Sequence, residues 1–453
     1  MPRSLTLLLT LILALPALSQ TKPAPPSLNP ARMEQIIQAH VADRSFMGAV
    51  LVARGDQVVI SKAYGAADLE WNVPNTTTGK FRLGSVAKQF TAAAILLLEE
   101  RGKLSVNDPV KKYLTDAPAT WDAITLHHLL THTSGIPNLT DLSKFPDYYA
   151  KLPLKTTPAE TIARFKDRPL DFAPGERMSY SNSGYIVLGA IIEKVSGMSY
   201  AQFMQENLFA PLGMKDTGYD TADRVLPQRV RGYQAEPDGT IINPAFIHMS
   251  IPFAAGGFYS TTADMLKWQL ALTGGKLLKP ETFTRMSTPF KGEYAYGLNV
   301  RNIAGHTTFS HGGGIEGFNT FTLYCPEEKL SVIVLGNLSG RAPQNIARYL
   351  TQVAHGQSVQ LASEAVKVPA TVLAEYVGTY RFAPDFAMEV TREGDQLSVQ
   401  ATRQRKAPIY AESQTVFFAT VVEAKFEFVR DAAGKVTTLI LRQGGREMKA
   451  TRE

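Results

Sequence analysis

The chain is predicted to be an α+β protein: an antiparallel sheet flanked by helices and carrying a helical insertion, followed by a small all-β domain. Three observations lead there. Two strong hairpin patterns stand far apart in the chain, the stretch between them holds several apolar helical segments, and from about residue 370 the pattern changes to short alternating strands.

The elements follow in order. Ala31 to His40 has helical character, and Gly48–Ala53 pairs with Val58–Tyr64 across a Gly55-Asp56 turn. Val86–Arg101, Ser183–Val195 and Thr262–Leu272 are apolar helices that stop at or before Gly102, Gly197 and Gly274-Gly275. The second hairpin joins Phe318–Tyr324 to Leu330–Leu335 through Pro326-Glu327-Glu328-Lys329, and a helix over Ala342–Val353 follows. If both hairpins share one sheet, everything between them is inserted. Met388–Arg392, Leu397–Ala401, Lys425–Arg430 and Val436–Arg442 are the strands of a small barrel or sandwich. The expected organisation is a large domain over 31–354, a linker over 355–369 and the β domain over 370–453.

Composition bounds the function. With 453 residues, 44% hydrophobic and 19% charged, the chain has length for two or three ordinary globular domains. Its net charge of +6 is scattered rather than gathered into a basic stripe, which argues against a nucleic-acid partner. One cysteine, Cys325, excludes an internal disulfide and any multi-cysteine metal site. Residues 1–19 have the pattern of a signal peptide: Arg3, an apolar run over Leu5–Leu15, then Ala17 and Ser19 before a cleavage near Gln20. An exported, periplasmic or secreted protein is expected, with residues 20–30 a proline-rich leader and no membrane-spanning segment in the mature chain.

Three short segments carry chemistry. In Gly84-Ser85-Val86-Ala87-Lys88, residues 85 and 88 share one helix face at an N-terminus, where free N–H groups favour developing negative charge. An amine beside a serine can activate it for attack on a carbonyl. In Tyr180-Ser181-Asn182 a phenol able to relay a proton stands next to an amide able to hold a carbonyl. In His311-Gly312-Gly313-Gly314-Ile315-Glu316-Gly317 the glycines let a strand edge approach a substrate; no Gly-Lys-Ser/Thr follows, so a phosphate loop is excluded. His128 and His132 stand four apart, but no Glu follows the first as in His-Glu-x-x-His, so no metal is expected there, and no cofactor anywhere.

The order and spacing of the three segments, together with Leu129-Leu130-Thr131-His132-Thr133-Ser134-Gly135-Ile136, Phe172-Ala173-Pro174-Gly175 and Ala255-Gly256-Gly257-Phe258-Tyr259-Ser260-Thr261, resemble the penicillin-recognising serine hydrolases of the class C β-lactamase, DD-peptidase and esterase type. The last part of the chain resembles the lipocalin-like β domain that often follows them. The resemblance implies Ser85 as nucleophile forming an acyl-enzyme, Lys88 and Tyr180 as the proton-transfer system, Asn182, His311 and Gly313 as substrate-binding residues, and the backbone N–H groups of Ser85 and Gly314 as oxyanion hole. Where β-lactamases and DD-peptidases carry Lys-Thr-Gly, this chain has His311-Gly312-Gly313. A permanent cation is thereby replaced by a group whose ordinary pKa is near 6.5. The expected substrate is therefore a small ester or a D-amino-acid amide or peptide rather than a β-lactam. A class C-like β-lactamase or DD-carboxypeptidase is the alternative, and a non-catalytic penicillin-binding sensor the alternative of another class. If protonation of His311 helps bind anionic substrates, their kcat/KM should rise as pH falls towards its pKa, while neutral esters show no such trend.

Overall fold

The computed structural model describes residues 26–453 except 237, 405, 421–423 and 444–445, so the expected signal peptide lies outside the described residues. The elements that position the site are α1 (Pro30–Ala42), β1 (Gly48–Arg54), β2 (Gln57–Tyr64), α2 (Lys88–Glu100), α3 (Asn182–Ser196), α4 (Thr262–Thr273), β3 (Asn299–Ile303), β4 (His306–Ile315), β5 (Phe318–Cys325), β6 (Leu330–Gly336) and α5 (Ala342–Ala354).

Both hairpins do share one sheet. Its order is β3-β4-β5-β6-β1-β2, all antiparallel, and β1 meets β6 from Gly48↔Gly336 to Arg54↔Leu330. β1 and β6 are buried on both faces, which is why they read as unbroken apolar runs rather than as alternating ones. Ala49, Leu51, Ile333 and Leu335 face the larger core, shared with α2 and α4. Val50, Val52, Val332 and Val334 face a second core beneath α1 and α5.

The insertion between the hairpins is helical and centres on α2, where every residue from Lys88 to Leu98 is buried. A helix apolar all round demands enclosure, and here α3, α4 and the sheet supply it. Phe90 takes edge-on contacts from Phe209, Phe258 and Trp268 at centroid distances of 5.1, 5.7 and 4.5 Å. Polar pins set the helix against the sheet: Gln89 Nε2 donates to Thr322 Oγ1 on β5 (3.1 Å) and Gln89 Oε1 accepts from Trp268 Nε1 (3.1 Å). Helix α3 ends at Gly197 with φ 71°, a left-handed cap. Among the described residues no helix is long and apolar enough to cross a membrane.

The C-terminal part is a closed barrel of eight strands: β7 (Gly378–Ala383), β8 (Phe386–Glu393), β9 (Gln396–Ala401), β10 (Ala407–Ala411), β11 (Val416–Ala419), β12 (Ala424–Arg430), β13 (Val436–Gln443) and β14 (Arg446–Arg452). Pairing of Tyr380 with Arg452 closes it around Tyr376, Phe417, Phe426 and Phe428. The segment before it, expected as a linker, is packed: Val359 and Leu361 are buried in the α1–α5 core, and Arg32 of α1 pairs with Glu364.

One approach is closer than the rest. Thr320 Oγ1 on β5 donates to the Leu83 carbonyl (2.7 Å), and a Cβ on Gly313 of β4 would stand 1.9 Å from that same oxygen. A Cβ on Gly312 would instead meet only the Phe321 ring edge at 3.3 Å. Gly313→Ala is therefore expected to cost about 1–3 kcal/mol in urea unfolding, and Gly312→Ala clearly less. Equal losses would show that the contact with Leu83 does not fix this strand.

Candidate active site

Ser85 lies in a single 3₁₀ turn, Gly84–Ala87, that leads into α2. The turn begins with Gly84 at φ +54°, where a Cβ would sit 2.9 Å from the Gly314 amide nitrogen. Only glycine combines that dihedral with that approach. Ser85 is thus the first residue to follow a glycine pressed against β4, and its N–H belongs to the turn's unpaired first set.

Lys88, one turn further on, is 0% exposed. Its Nζ lies 3.0 Å from Ser85 Oγ, 2.8 Å from Asn182 Oδ1 and 2.8 Å from the Ala255 carbonyl. None of these partners is an anion. Burial accordingly holds the amine well below the usual lysine range of 10.5. The Tyr180 and Tyr185 rings complete the enclosure, with centroids 4.9 and 5.4 Å from Nζ.

Asn182 opens α3 and is clamped from both sides. Its Oδ1 accepts from Lys88, its Nδ2 donates to Asn138 Oδ1 (3.3 Å) and Thr140 Oγ1 (3.2 Å), and its backbone N–H donates to Asn138 Oδ1 (3.0 Å). Gly189 lets α3 pack on the Phe253–Ala255 turn, since a Cβ there would stand 2.4 Å from that of Ala254. The same packing delivers the Ala255 carbonyl to Lys88.

Tyr180 interacts through its hydroxyl with the Ser85 side chain, and burial pushes the phenol upward, so it stays protonated. His132 positions it. Residue 132 adopts a left-handed φ of 57°; its carbonyl accepts from Ser179 N–H (2.9 Å), its Nδ1 accepts from Ser181 N–H (3.2 Å), and its ring lies 4.2 Å from that of Tyr180. His128 Nδ1 accepts from Thr125 N–H (3.2 Å) at the start of a short helix. The Nδ1 atom of each ring in the His128/His132 pair is thereby taken up by backbone.

His311, which opens the third motif, is buried beside this group. It is 3% exposed, and its ring centroid lies 6.4 Å from that of Tyr180. Its Nδ1 faces its neighbour's carbonyl, Gly312 O (2.7 Å), and its Nε2 accepts from Tyr294 Oη (3.0 Å). Burial above all drops its pKa to about 3, so it offers no cation to an anionic substrate near neutrality. A Cβ on Gly313 would meet the Leu83 carbonyl, and of the motif's glycines it is Gly314 that lines the cavity beside Ser85.

That cavity, about 290 Å³, has Ser85, Asn182 and Gly314 at its floor and Leu139, Tyr148 and Ile247 in its wall. One charged side chain joins the lining, Glu316. It is half-buried, desolvation raises its pKa, and the cation that acts on it, Arg82, is held by Asp220 at 2.8 Å. Sequence patterns did not single out Asn138, Thr140, Tyr294 or Glu316, since each matters through a contact distant in the chain. Ala255 opens the segment Ala255–Thr261, in which nothing marks its carbonyl as an acceptor for Lys88.

Fold and site together define a serine hydrolase. Residues 33–356 match the Beta-lactamase family, and residues 362–452 match a domain of unknown function, DUF3471. The chain belongs to the β-lactamase family. It is 28% identical over 438 residues to penicillin-binding protein 4* of Bacillus subtilis, covering 90% of this chain and 95% of that one. The octameric penicillin-binding protein homologue from Pyrococcus abyssi superposes with a TM-score of 0.68 at 27% identity, over 93% of this chain and 100% of that one. A D-stereospecific amidohydrolase from Streptomyces sp. does so with a TM-score of 0.59 at 26% identity, over 68% of this chain and 94% of that one.

The buried His311 has a measurable consequence. In the unfolded chain it protonates near its ordinary 6.5, in the folded protein only near 3. The unfolded state therefore binds more protons between those values, and stability falls as pH drops from about 6.5 towards 3. His132, also lowered, acts in the same direction. His311→Asn is expected to flatten this slope in urea unfolding at stepped pH, and an unchanged slope would contradict the buried neutral ring.

Proposed function

We propose that Ser85 attacks the carbonyl of a small ester or amide and that Lys88, as a neutral amine, takes its proton. The observation that carries this is the set of contacts around Nζ. A neutral amine has two N–H groups and one lone pair. Asn182 Oδ1 and the Ala255 carbonyl can only accept, so they occupy the two N–H groups, and the lone pair faces Ser85 Oγ at 3.0 Å. Proton transfer as Oγ bonds to the carbonyl carbon then needs no rearrangement. The oxyanion is received by the N–H groups of Ser85 and Gly314, which the Gly84 contact brings side by side. Tyr180, kept protonated by burial and in contact with Ser85, passes a proton to the leaving alcohol or amine and recovers it from the Lys88 ammonium. Water, activated by the same amine, then releases the acid and free Ser85.

The cavity favours a substrate that carries an amine. With His311 neutral, the third motif supplies no cation for a β-lactam carboxylate, and Glu316 would repel one. A protonated amino group would find in Glu316 a carboxylate whose neighbouring cation is already engaged. This reading joins the chain to the type of activity named for the Streptomyces relative, a D-stereospecific amidohydrolase. The pattern of residues 1–19 supports export, with the reaction taking place outside the cytoplasm.

A substrate panel tests both levels. Wild-type protein is expected to hydrolyse p-nitrophenyl acetate and D-phenylalanine p-nitroanilide, with Ser85→Ala losing at least about 10³-fold on each. The free-amine anilide should be preferred to its N-acetyl form, and Glu316→Gln should cut that ratio by about 10-fold or more, the worth of a charge-assisted hydrogen bond. Activity that survives Ser85→Ala would sink the mechanism. A ratio unmoved by Glu316→Gln would remove the amine while leaving the nucleophile in place.

A further inference from the structure

The register of the sheet explains how a backbone N–H comes to be free beside Ser85. β4 pairs with β3 only as far as Asn299↔Ser310, but it stays paired with β5 through Gly314↔Asn319 to Ile315↔Phe318. From His311 onward, no further strand of the described residues lies along the other edge of β4. The nucleophile turn takes that place: a Cβ on Gly84 would stand 2.9 Å from the Gly314 nitrogen, and Thr320 Oγ1 on β5 holds the Leu83 carbonyl.

Which way this N–H points is a property of one peptide. A trans peptide is planar, so the Gly313 carbonyl and the Gly314 N–H point in opposite directions, and a partner that fixes one aims the other. That peptide lies in a run of three glycines, Gly312-Gly313-Gly314, where no side chain restricts the backbone. Asn319 fixes it. From its place opposite Gly314 on β5, its Nδ2 donates to the Gly313 carbonyl at 3.3 Å.

The Asn319 amide has one possible orientation. Its Oδ1 accepts at 2.9 Å from the N–H of Gly340, two residues before α5. A backbone N–H only donates and a carbonyl only accepts, so the oxygen must face Gly340 and the nitrogen Gly313. Glycine at 314 leaves room for this contact, since a Cβ there would stand 3.3 Å from Nδ2.

We propose that Asn319 is a positioning residue of the oxyanion hole: it holds the Gly313–Gly314 peptide so that the Gly314 N–H faces the acyl oxygen of a substrate at Ser85. It acts through that peptide and touches no reacting atom, and its role rests on the proposed roles of Ser85 and Gly314. Asn319→Asp separates its two bonds. A carboxylate still accepts from Gly340 but meets the Gly313 carbonyl oxygen against oxygen, which favours rotation of the peptide. Asn319→Ala loses both bonds without adding charge.

The test compares wild-type, Asn319→Asp and Asn319→Ala protein on p-nitrophenyl acetate and on its thiono analogue, in which sulfur replaces the carbonyl oxygen and accepts hydrogen bonds poorly. Both variants should lose about 10-fold or more in kcat with KM nearly unchanged, as expected when a donor acts only in the transition state. The rate ratio of oxygen ester to thiono ester should fall by a similar factor. That ratio does not depend on how much enzyme is folded, so it reads the oxyanion hole even in a variant that folds poorly. Urea unfolding should place Asn319→Asp closer to wild type than Asn319→Ala, because it keeps the bond to Gly340. Wild-type activity that depends on Ser85, with kcat and the ratio unmoved in both variants, would overturn the role of Asn319 and leave the nucleophile standing. A wild-type protein with no Ser85-dependent hydrolysis would instead overturn the oxyanion hole itself, and the role of Asn319 with it.

Discussion

A lysine amine buried without a carboxylate partner is the constraint on which the rest of the site depends. Placing an ammonium in such surroundings carries a desolvation penalty that no Coulombic partner offsets here, so the amine is pushed towards its neutral form. A neutral amine is a base, and its lone pair points where its acceptor neighbours leave room for it. Asn182, Ala255 and the two tyrosine rings therefore enclose Lys88 and also decide which way it faces.

That arrangement needs three distant parts of the chain to meet within a few ångströms, and glycines permit it. Gly84 and Gly313 let the nucleophile turn lie on β4, while Gly189 lets α3 carry Asn182 and the 253–255 turn to the same point. The buried aromatic contacts of α2 hold the helix that presents both Ser85 and Lys88. Stability and chemistry thus share one element, and the imidazoles of His132 and His311 act on the site from behind it, by holding Tyr180 and Tyr294.

Much of this was legible from residue patterns, because it rests on local signals. The hairpins, the glycine-capped helices and the spacing of Ser85 and Lys88 follow from short-range periodicity and turn chemistry. The eight-stranded barrel was half visible: β8, β9, β12 and β13 alternate clearly, whereas a bulge in β7, a proline in β10 and charges in β14 blur the period and β11 is only four residues long. His311 was legible as part of the third motif but not as a neutral group, since its state is set first by burial, which only the packed fold reveals. Asn138, Thr140 and Tyr294 were not legible, because no motif contains them and only the fold brings them to Asn182 and His311.

The central claim is that Lys88 works as a neutral base. The most direct measurement is the pH dependence of Ser85 acylation, followed as the single-turnover burst from a neutral nitrophenyl ester. An acylation rate that climbs with pH and levels off well below the ordinary lysine value of 10.5, and that disappears in Lys88→Arg, is the result the account predicts. A rate still rising through pH 10, or a normal burst in Lys88→Arg, would contradict it.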